Sequence, residues 1–323
     1  MEERKQIVNR FIQKGMKSDR ATLAAGFSRS AYYYKSTGTK PGKRPTNHTR
    51  RLAGEKVANE DIVEDIRDII SPEFIDYGYD KVAKLLQSKY VINRKKVYRL
   101  MKEHDLLNSK IRPDGTLKDY VRFTQPCPGQ PYETLEIDIK YIRIQGDSKN
   151  AYLVTILDVF TRRALVWDLA FTMKAERVKG LFEQLITEHL QPKNLLVRGV
   201  SVTVRSDNGS QFVAKEVKGV LAANGIFHEF TKPATPEQNG YIESFHSTVE
   251  KLVCAKFEFD CLADAKDVFY RFYDTYNNRR ILKCLAYKTP AEFNECWEND
   301  LVGVVYGIKK RDQKFFFRSK QAA

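Results

Sequence analysis

The spacing of apolar residues changes period once along the chain, near residue 131. Before that point it is helical. Ile7, Val8, Phe11 and Ile12 recur on one face and predict that residues 1–35 are a helical segment. Within it, Ala24-Ala25-Gly26 closes one helix and Ser28 is placed to cap the next, because Gly enters the left-handed region freely and a Ser hydroxyl accepts from a first-turn N–H. A helix, a Gly turn and a capped helix bearing Arg29 fit either a helix-turn-helix or a plain helical hairpin. Residues 36–58 are rich in Thr, Gly, Pro, Lys and Arg without an apolar period, which predicts a basic linker. Residues 59–107 return to helical spacing. Ile62, Ile66, Ile69 and Ile70 form one stripe; Val82, Leu85 and Leu86 form a second behind Asp80 as N-cap; Val97, Leu100 and Met101 form a third behind Asn93. The third helix shows Arg94, Lys95, Lys96 and Arg99 on its other face. That face is either a second small DNA-binding module or an ordinary solvated helix surface. Residues 108–130 are polar, hold three prolines and predict another linker.

From 131 the period is two. Leu135, Ile137, Ile139 and Tyr141 alternate with Glu136, Asp138 and Lys140, which predicts a strand with one buried face. Ala151–Phe160 and Arg163–Phe171 read as two further strands, with a hairpin loop over 145–150. A helix near 174–190, a strand at 201–206, a helix near 211–224, a short strand at 226–230 and helices near 240–257 and 262–280 follow. A strand meander followed by alternating helix and strand is the pattern of an α/β mixed sheet with helices on its faces. This pattern predicts a mixed-sheet domain over 131–293 preceded by small all-α modules, with 294–323 a C-terminal tail whose end suggests a small basic β-hairpin.

Charge sharpens the picture. The net charge is +14 over 323 residues, and residues 1–130 hold 27 Lys and Arg against 16 Asp and Glu. A basic front half suits a polyanion, since cations that neutralise phosphates release counterions. The five cysteines form no C-x-x-C pair, which fits free thiols in a reducing compartment rather than a disulfide frame or a zinc site. No apolar run approaches a membrane span, and the charged N-terminus is unlike a signal peptide.

Three acidic residues lie far apart in the chain. Asp138 is mid-strand, where Asp is disfavoured. Asp207 opens Asp-Asn-Gly directly after Val202-Thr-Val-Arg-Ser206, so it is either a strand-end ligand or a plain turn residue. Glu243 is predicted on a helix whose buried face is Ile242, Phe245, Val249 and Leu252, with His246 one turn on. Thr235-Pro236-Glu237-Gln238 resembles a capping box before it. Singly, each acid could be merely solvated. Converging, three carboxylates could hold two hard divalent cations and act on phosphodiesters.

Arg205-Ser-Asp207-Asn-Gly-Ser-Gln-Phe and Pro236-Glu-Gln-Asn-Gly-Tyr-Ile-Glu243-Ser-Phe-His246, with Tyr276-Asn-Asn-Arg-Arg280 and Thr289-Pro290 downstream, occur in one order. In this the chain resembles bacterial insertion-sequence transposases of the second-reading-frame type, which have a retroviral-integrase-like core. Tyr77-Gly-Tyr79 through Met101 and Ser28 through Tyr34 are similar to upstream parts of that family, so the resemblance spans roughly 9–293. It implies an RNase H-like core with a DDE triad of Asp138, Asp207 and Glu243. It implies two Mg²⁺ ions, for which Mn²⁺ can substitute, and nicking at element ends followed by 3′-hydroxyl strand transfer. It also implies partners: element terminal repeats, target DNA, further copies of the chain on DNA and the product of an upstream reading frame. The expected place is the bacterial cytoplasm at the nucleoid. Asn208, Gln238, Asn239, His246 and Lys251 are added candidates for DNA contact or loop shaping. Two positions depart from the pattern: Glu250 stands where relatives often carry Lys or Arg, and Leu282 where they often carry His. A non-catalytic DNA-binding regulator and a nuclease without joining activity are the competing readings.

Overall fold

The computed structural model describes residues 2–34, 45–108, 126–231, 236–306 and 313–318. The chain forms two compact units, Met1–Asn47 and His48–Ala323, and each is described by itself.

The first unit contains α1 (Glu2–Gln13), α2 (Ser18–Ala24) and α3 (Arg29–Tyr33). Gly26 turns the chain with φ +59°. The Ser28 hydroxyl caps α3 as expected, accepting from the Ala31 N–H at 3.2 Å. Val8, Ala21 and Thr22 are its buried residues, and α3 buries none of its own.

The second unit begins where a linker was expected. β1 (His48–Arg51) and β2 (Lys56–Ala58) form a hairpin, and β1 also pairs with β3 (Tyr90–Val91). Only Thr49 and Val57, opposite each other in register, turn inward. One inward residue per strand is too short an alternation to read as a strand. Residues 36–44 and 109–125 of the expected linkers lie outside the described residues, as does residue 35 of the expected helical segment. Between and after these strands come α4 (Asn59–Ile70), α5 (Tyr79–Leu86) and α6 (Arg94–Glu103). Their stripes meet in one cluster of Ile62, Ile66, Val82, Leu86, Val97, Leu100 and Met101. Asn93 caps α6 by accepting from the Lys96 N–H at 2.9 Å. Asp80 is not the N-cap of α5; Gly78 holds that position and Asp80 lies in the first turn, where a negative charge suits the helix dipole.

The core is a five-stranded sheet in the order β6-β5-β4-β7-β8. Its strands are β4 (Thr134–Ile144), β5 (Lys149–Asp158), β6 (Ala164–Ala170), β7 (Thr203–Ser206) and β8 (Phe227–Phe230). β4, β5 and β6 form the antiparallel meander, while β7 joins β4, and β8 joins β7, in parallel. This is the mixed sheet of an RNase H-like core. α7 (Ala175–Leu185), extended by a π-helical turn over Ile186–Leu190, covers one face together with α8 (Ser210–Val213) and α9 (Lys215–Ala223). The helix expected over 211–224 is broken at Ala214, which is extended at ψ 147°. α10 (Gly240–Val249), its π-helical continuation Glu250–Cys254 and α11 (Leu262–Asn278) cover the opposite face. Neighbouring residues of β5 divide between the two layers, Val154 and Ile156 toward α7 and Leu153 and Leu157 toward α11.

β4 departs from the expected one-sided burial. Leu135 and Ile137 face α7, but Glu136 is 0% exposed, Ile142 and Ile144 are buried, and Tyr141 is 64% exposed. The strand is central and covered on both faces, so simple alternation fails for it.

α12 (Pro290–Glu298) opens on a capping box between Thr289 and Glu292. β9 (Val302–Tyr306) and β10 (Gln313–Phe317) then form the hairpin suggested for the tail. It is no appendage, because Phe160, Phe293, Trp297 and Phe315 pack ring against ring between hairpin, α12 and sheet.

The α4–α6 module is tied to the core by polar bonds. Tyr77 donates to the Arg279 carbonyl at 3.1 Å and accepts from the Ile281 N–H at 2.9 Å. Asp76 takes Arg280 at 2.7 Å and Lys251 at 2.5 Å. Burial opposes ionisation of Asp76, but the two cations prevail and hold its carboxyl below the ordinary range.

Two outcomes follow from this packing. Phe293→Ala removes a fully buried ring and is expected to cost about 3–5 kcal/mol in urea unfolding. Lys251→Met is expected to lower stability by about 1 kcal/mol, because Arg280 still pairs with Asp76, and to leave DNA affinity within about twofold in a gel-shift titration; a tenfold loss of affinity would return Lys251 to the DNA-contacting set.

Candidate active site

The parallel ladder between β4 and β7 sets Glu136 opposite Arg205. Two residues further along each segment stand Asp138 and Asp207. The two aspartates therefore fall at neighbouring positions at the carboxyl end of β7. There the chain turns. The Asp207 carboxylate accepts from the Gly209 N–H at 2.9 Å. Asn208 donates its side-chain amide to the Thr231 carbonyl at 2.7 Å, so it shapes this loop.

Helix α10 brings the third acid. The stretch 232–235, including Thr235 of the expected capping box, lies outside the described residues. Pro236–Asn239 form a 3₁₀ turn, and α10 begins at Gly240. Asn239 is the N-cap residue, yet its side chain makes no capping bond. The acceptor comes from β4 instead. Glu136 Oε2 accepts from the Tyr241 N–H at 3.1 Å and the Ile242 N–H at 2.8 Å. Burial pushes the Glu136 carboxyl up to about 7, outweighing those N–H bonds and the charges of Arg205 and Arg162. Arg205 donates to the Gln238 carbonyl at 2.8 Å and grips Glu229 on β8 at 2.8 and 3.0 Å. Arg162 lies 3.7 Å over the Tyr241 ring.

Glu243 is the next residue of α10 after Ile242. It lines an open hollow of about 580 Å³ with Lys140, His246, Ser247, Glu250 and Lys251. His246 is half-buried and turns Nδ1 to the Asp138 carboxylate at 3.4 Å. It thus joins α10 to β4 rather than facing solvent. Glu250 pairs with Lys140 at 2.8 Å, so the acidic departure at this position is matched by a cation on the strand that carries Asp138.

The remaining candidates fall into two groups. Arg94, Lys95, Lys96 and Arg99 lie together on α6 as expected. Lys95 is exposed there. Arg94 stands 3.6 Å from Asp80, Arg99 stands 3.8 Å from Glu103, and Lys96 donates to the His48 carbonyl at 2.6 Å. Arg29 in the first unit pairs with Asp19 at 3.1 Å. Lys251 is held by Asp76 and supports structure. Asn239 is buried, and the part of Gln238 bonded by Arg205 is its backbone carbonyl. Sequence reasoning missed Glu136, Arg205, Arg162 and Lys140. The signal available was an acid at 136 and a base at 205, each two residues ahead of a candidate acid.

The downstream motif is structural. Asn277 bonds both the N–H and the carbonyl of Ala164, Arg280 pairs with Asp76, and Thr289 starts α12. Leu282 packs its side chain against the core clusters.

Asp138, Asp207 and Glu243 offer oxygen donors only, the type hard divalent cations take. Among the described residues, however, no group of three His, Cys, Asp or Glu side chains stands close enough to hold an ion. The ladder ends two residues ahead of each aspartate, and His246 joins the helix to one of them, but the side chains do not form a closed ligand set. No helix among the described residues is long and apolar enough to cross a membrane.

Comparison with known proteins fits this organisation. Residues 128–236 and 224–290 match two integrase core domain families, and residues 57–113 match an HTH-like domain. The transposase for insertion sequence element IS904 of Lactococcus lactis is 23% identical over 76% of this chain and 98% of its own length. A 39.2 kDa protein of insertion element IS476 of Xanthomonas euvesicatoria is 25% identical over 90% of this chain and 77% of its own. Among solved structures, a simian T-cell lymphotropic virus intasome chain has 13% identity and a TM-score of 0.44, covering 68% of this chain and 70% of that one. The chain is an integrase core preceded by a helix-turn-helix-like domain, and it is homologous over most of its length to bacterial insertion-sequence transposases.

Proposed function

We propose that the chain is a DDE-type polynucleotidyl transferase that nicks the ends of a mobile element and joins the freed 3′-hydroxyl to target DNA. The observation that carries this reading is the β4–β7 ladder, whose last pair, Glu136↔Arg205, lies two residues ahead of both Asp138 and Asp207, together with the approach of His246 on α10 to Asp138. The integrase core families matched over these segments support it. In this reading Asp138, Asp207 and Glu243 hold two Mg²⁺ ions, replaceable by Mn²⁺. Bound there, such ions activate the attacking oxygen and stabilise the leaving one. The chain's own residues do the rest. Asn208 and the Gly209 amide fix the Asp207 loop. Lys140 stands beside the acids to meet phosphate, and the α6 cations hold the element end. Two ends must be held together, so several copies act on one DNA, with the upstream-frame product as a further partner.

The test uses labelled DNA from the flanks of the coding sequence, a supercoiled target and Mg²⁺. Wild-type protein is expected to give cut and joined products. Asp207→Asn is expected to lose both by about 10²–10³-fold or more, with end binding in EDTA within about twofold of wild type. Full cleavage by that variant removes Asp207 from the catalytic set. Cutting without joining makes the protein a nuclease, and binding without either makes it a regulator.

A further inference from the structure

The strands that carry the two aspartates also hold the helix that carries the glutamate. We propose that Glu136 and Arg205 are positioning residues: together they latch the start of α10 to β4 and β7 and so fix where Glu243 stands relative to Asp138 and Asp207. This rests on the reading of those three acids as the catalytic set.

The latch is built from a register pair. Glu136 and Arg205 are opposite each other in the parallel ladder. Each sends its side chain to the same turn of chain, Glu136 to the Tyr241 and Ile242 amides and Arg205 to the Gln238 carbonyl. Arg205 is itself pinned by Glu229. Arg162, lying over Tyr241, holds the same turn from the β5–β6 connection.

Three other helices of this chain start differently. α3, α6 and α12 are capped by their own N-cap side chains, Ser28, Asn93 and Thr289. α10 takes its cap from a residue 105 positions upstream in sequence, two before Asp138. A strand rises about 3.3 Å per residue and is stiff, so this choice ties the height of the helix to the position of Asp138. Glu243 follows the bonded Ile242 directly, within one helical rise of about 1.5 Å. A local cap would start the helix equally well but would set no distance to the strands. The cost of the arrangement is visible: a carboxylate with 0% exposure whose Oε1 is buried with no hydrogen-bond partner among the described residues.

The experiment compares Glu136→Ala and Glu136→Gln with wild type in the full chain. One readout is hydrogen exchange of the 238–246 segment, with β5 as reference. The other is the Mn²⁺ concentration giving half of the metal-induced rise in melting temperature. Glu136→Ala is expected to speed exchange at 238–246 by about tenfold or more, from the loss of both amide bonds to the carboxyl group, to leave β5 unchanged, and to raise the Mn²⁺ midpoint by about tenfold. Glu136→Gln keeps an acceptor oxygen and is expected to restore both to within about threefold. Should Glu136→Ala not fold, Arg205→Met, which releases Gln238, is read in the same two assays. Wild-type exchange in the Ala variant overturns the latch. Faster exchange with an unchanged Mn²⁺ midpoint reduces it to a plain helix cap and overturns the positioning role. A wild-type chain whose melting does not respond to Mn²⁺ sinks the triad and the latch together. A normal metal response without cut or joined DNA supports the latch and removes only the transposase reading.

Discussion

Parallel pairing of β4 with β7 is the constraint from which the rest of the second unit follows. The ladder itself is short, with three register pairs from Thr134↔Thr203 to Glu136↔Arg205. Parallel strands cannot be joined by a tight turn, so the chain between them must make a long crossover. It does so through the β5–β6 meander and α7. So few backbone bonds would not hold two remote segments alone. Apolar layers on both faces supply the remainder, with Leu135, Ile137 and Val204 under α7 and α9, and α10 with α11 opposite. Once the pairing is set, the aspartates are neighbours, because each lies two residues past a paired position.

The same pairing creates the electrostatic tension of the site. Covering both faces of β4 encloses Glu136, and burial lifts its carboxyl toward neutrality. Two amides of α10 and the nearby guanidinium of Arg205 make that enclosure tolerable. Further out the balance is looser. Lys140 and Glu250 form a pair whose acid is 59% exposed, and exposed pairs contribute at most about 1 kcal/mol. Asp76 differs: it is enclosed between Arg280 and Lys251 and holds both.

Much of this was legible in the chain where the chemistry is local. Ser28 and Asn93 cap their helices because a short oxygen side chain reaches its own first turn. The stripes of Ile62, Val82 and Val97 meet because helical spacing alone defines a buried face. Asp207 falls after its strand because Val-Thr-Val runs straight into a turn. What was not legible depends on remote partners. Alternation placed Glu136 on an open face, since nothing in β4 announces that α10 will cover it. Thr49 and Val57 could not signal a hairpin singly. Lys251 looked like a free cation on a helix until Asp76, 175 residues away in sequence, claimed it. The three acids were readable as a set by their motifs, but their spacing was not, and the side chains stand less closely gathered than the motifs suggest.

The attachment of the α4–α6 module bears on how a nucleic acid would meet the acids. A module joined only by a linker would present a duplex at many angles. Here Tyr77 is built into the backbone turn at Arg279 and Ile281, Asp76 clamps Arg280, and Ile281 packs inside the module's own cluster. Buried polar bonds of this kind resist slow hinge motion, because opening them leaves charged groups unpaired in a dry interface. These bonds tie α4–α6 to the segment that follows α11 at several points. In the proposed reading, a duplex gripped at Arg94, Lys95 and Arg99 reaches the acids at a set distance along its axis.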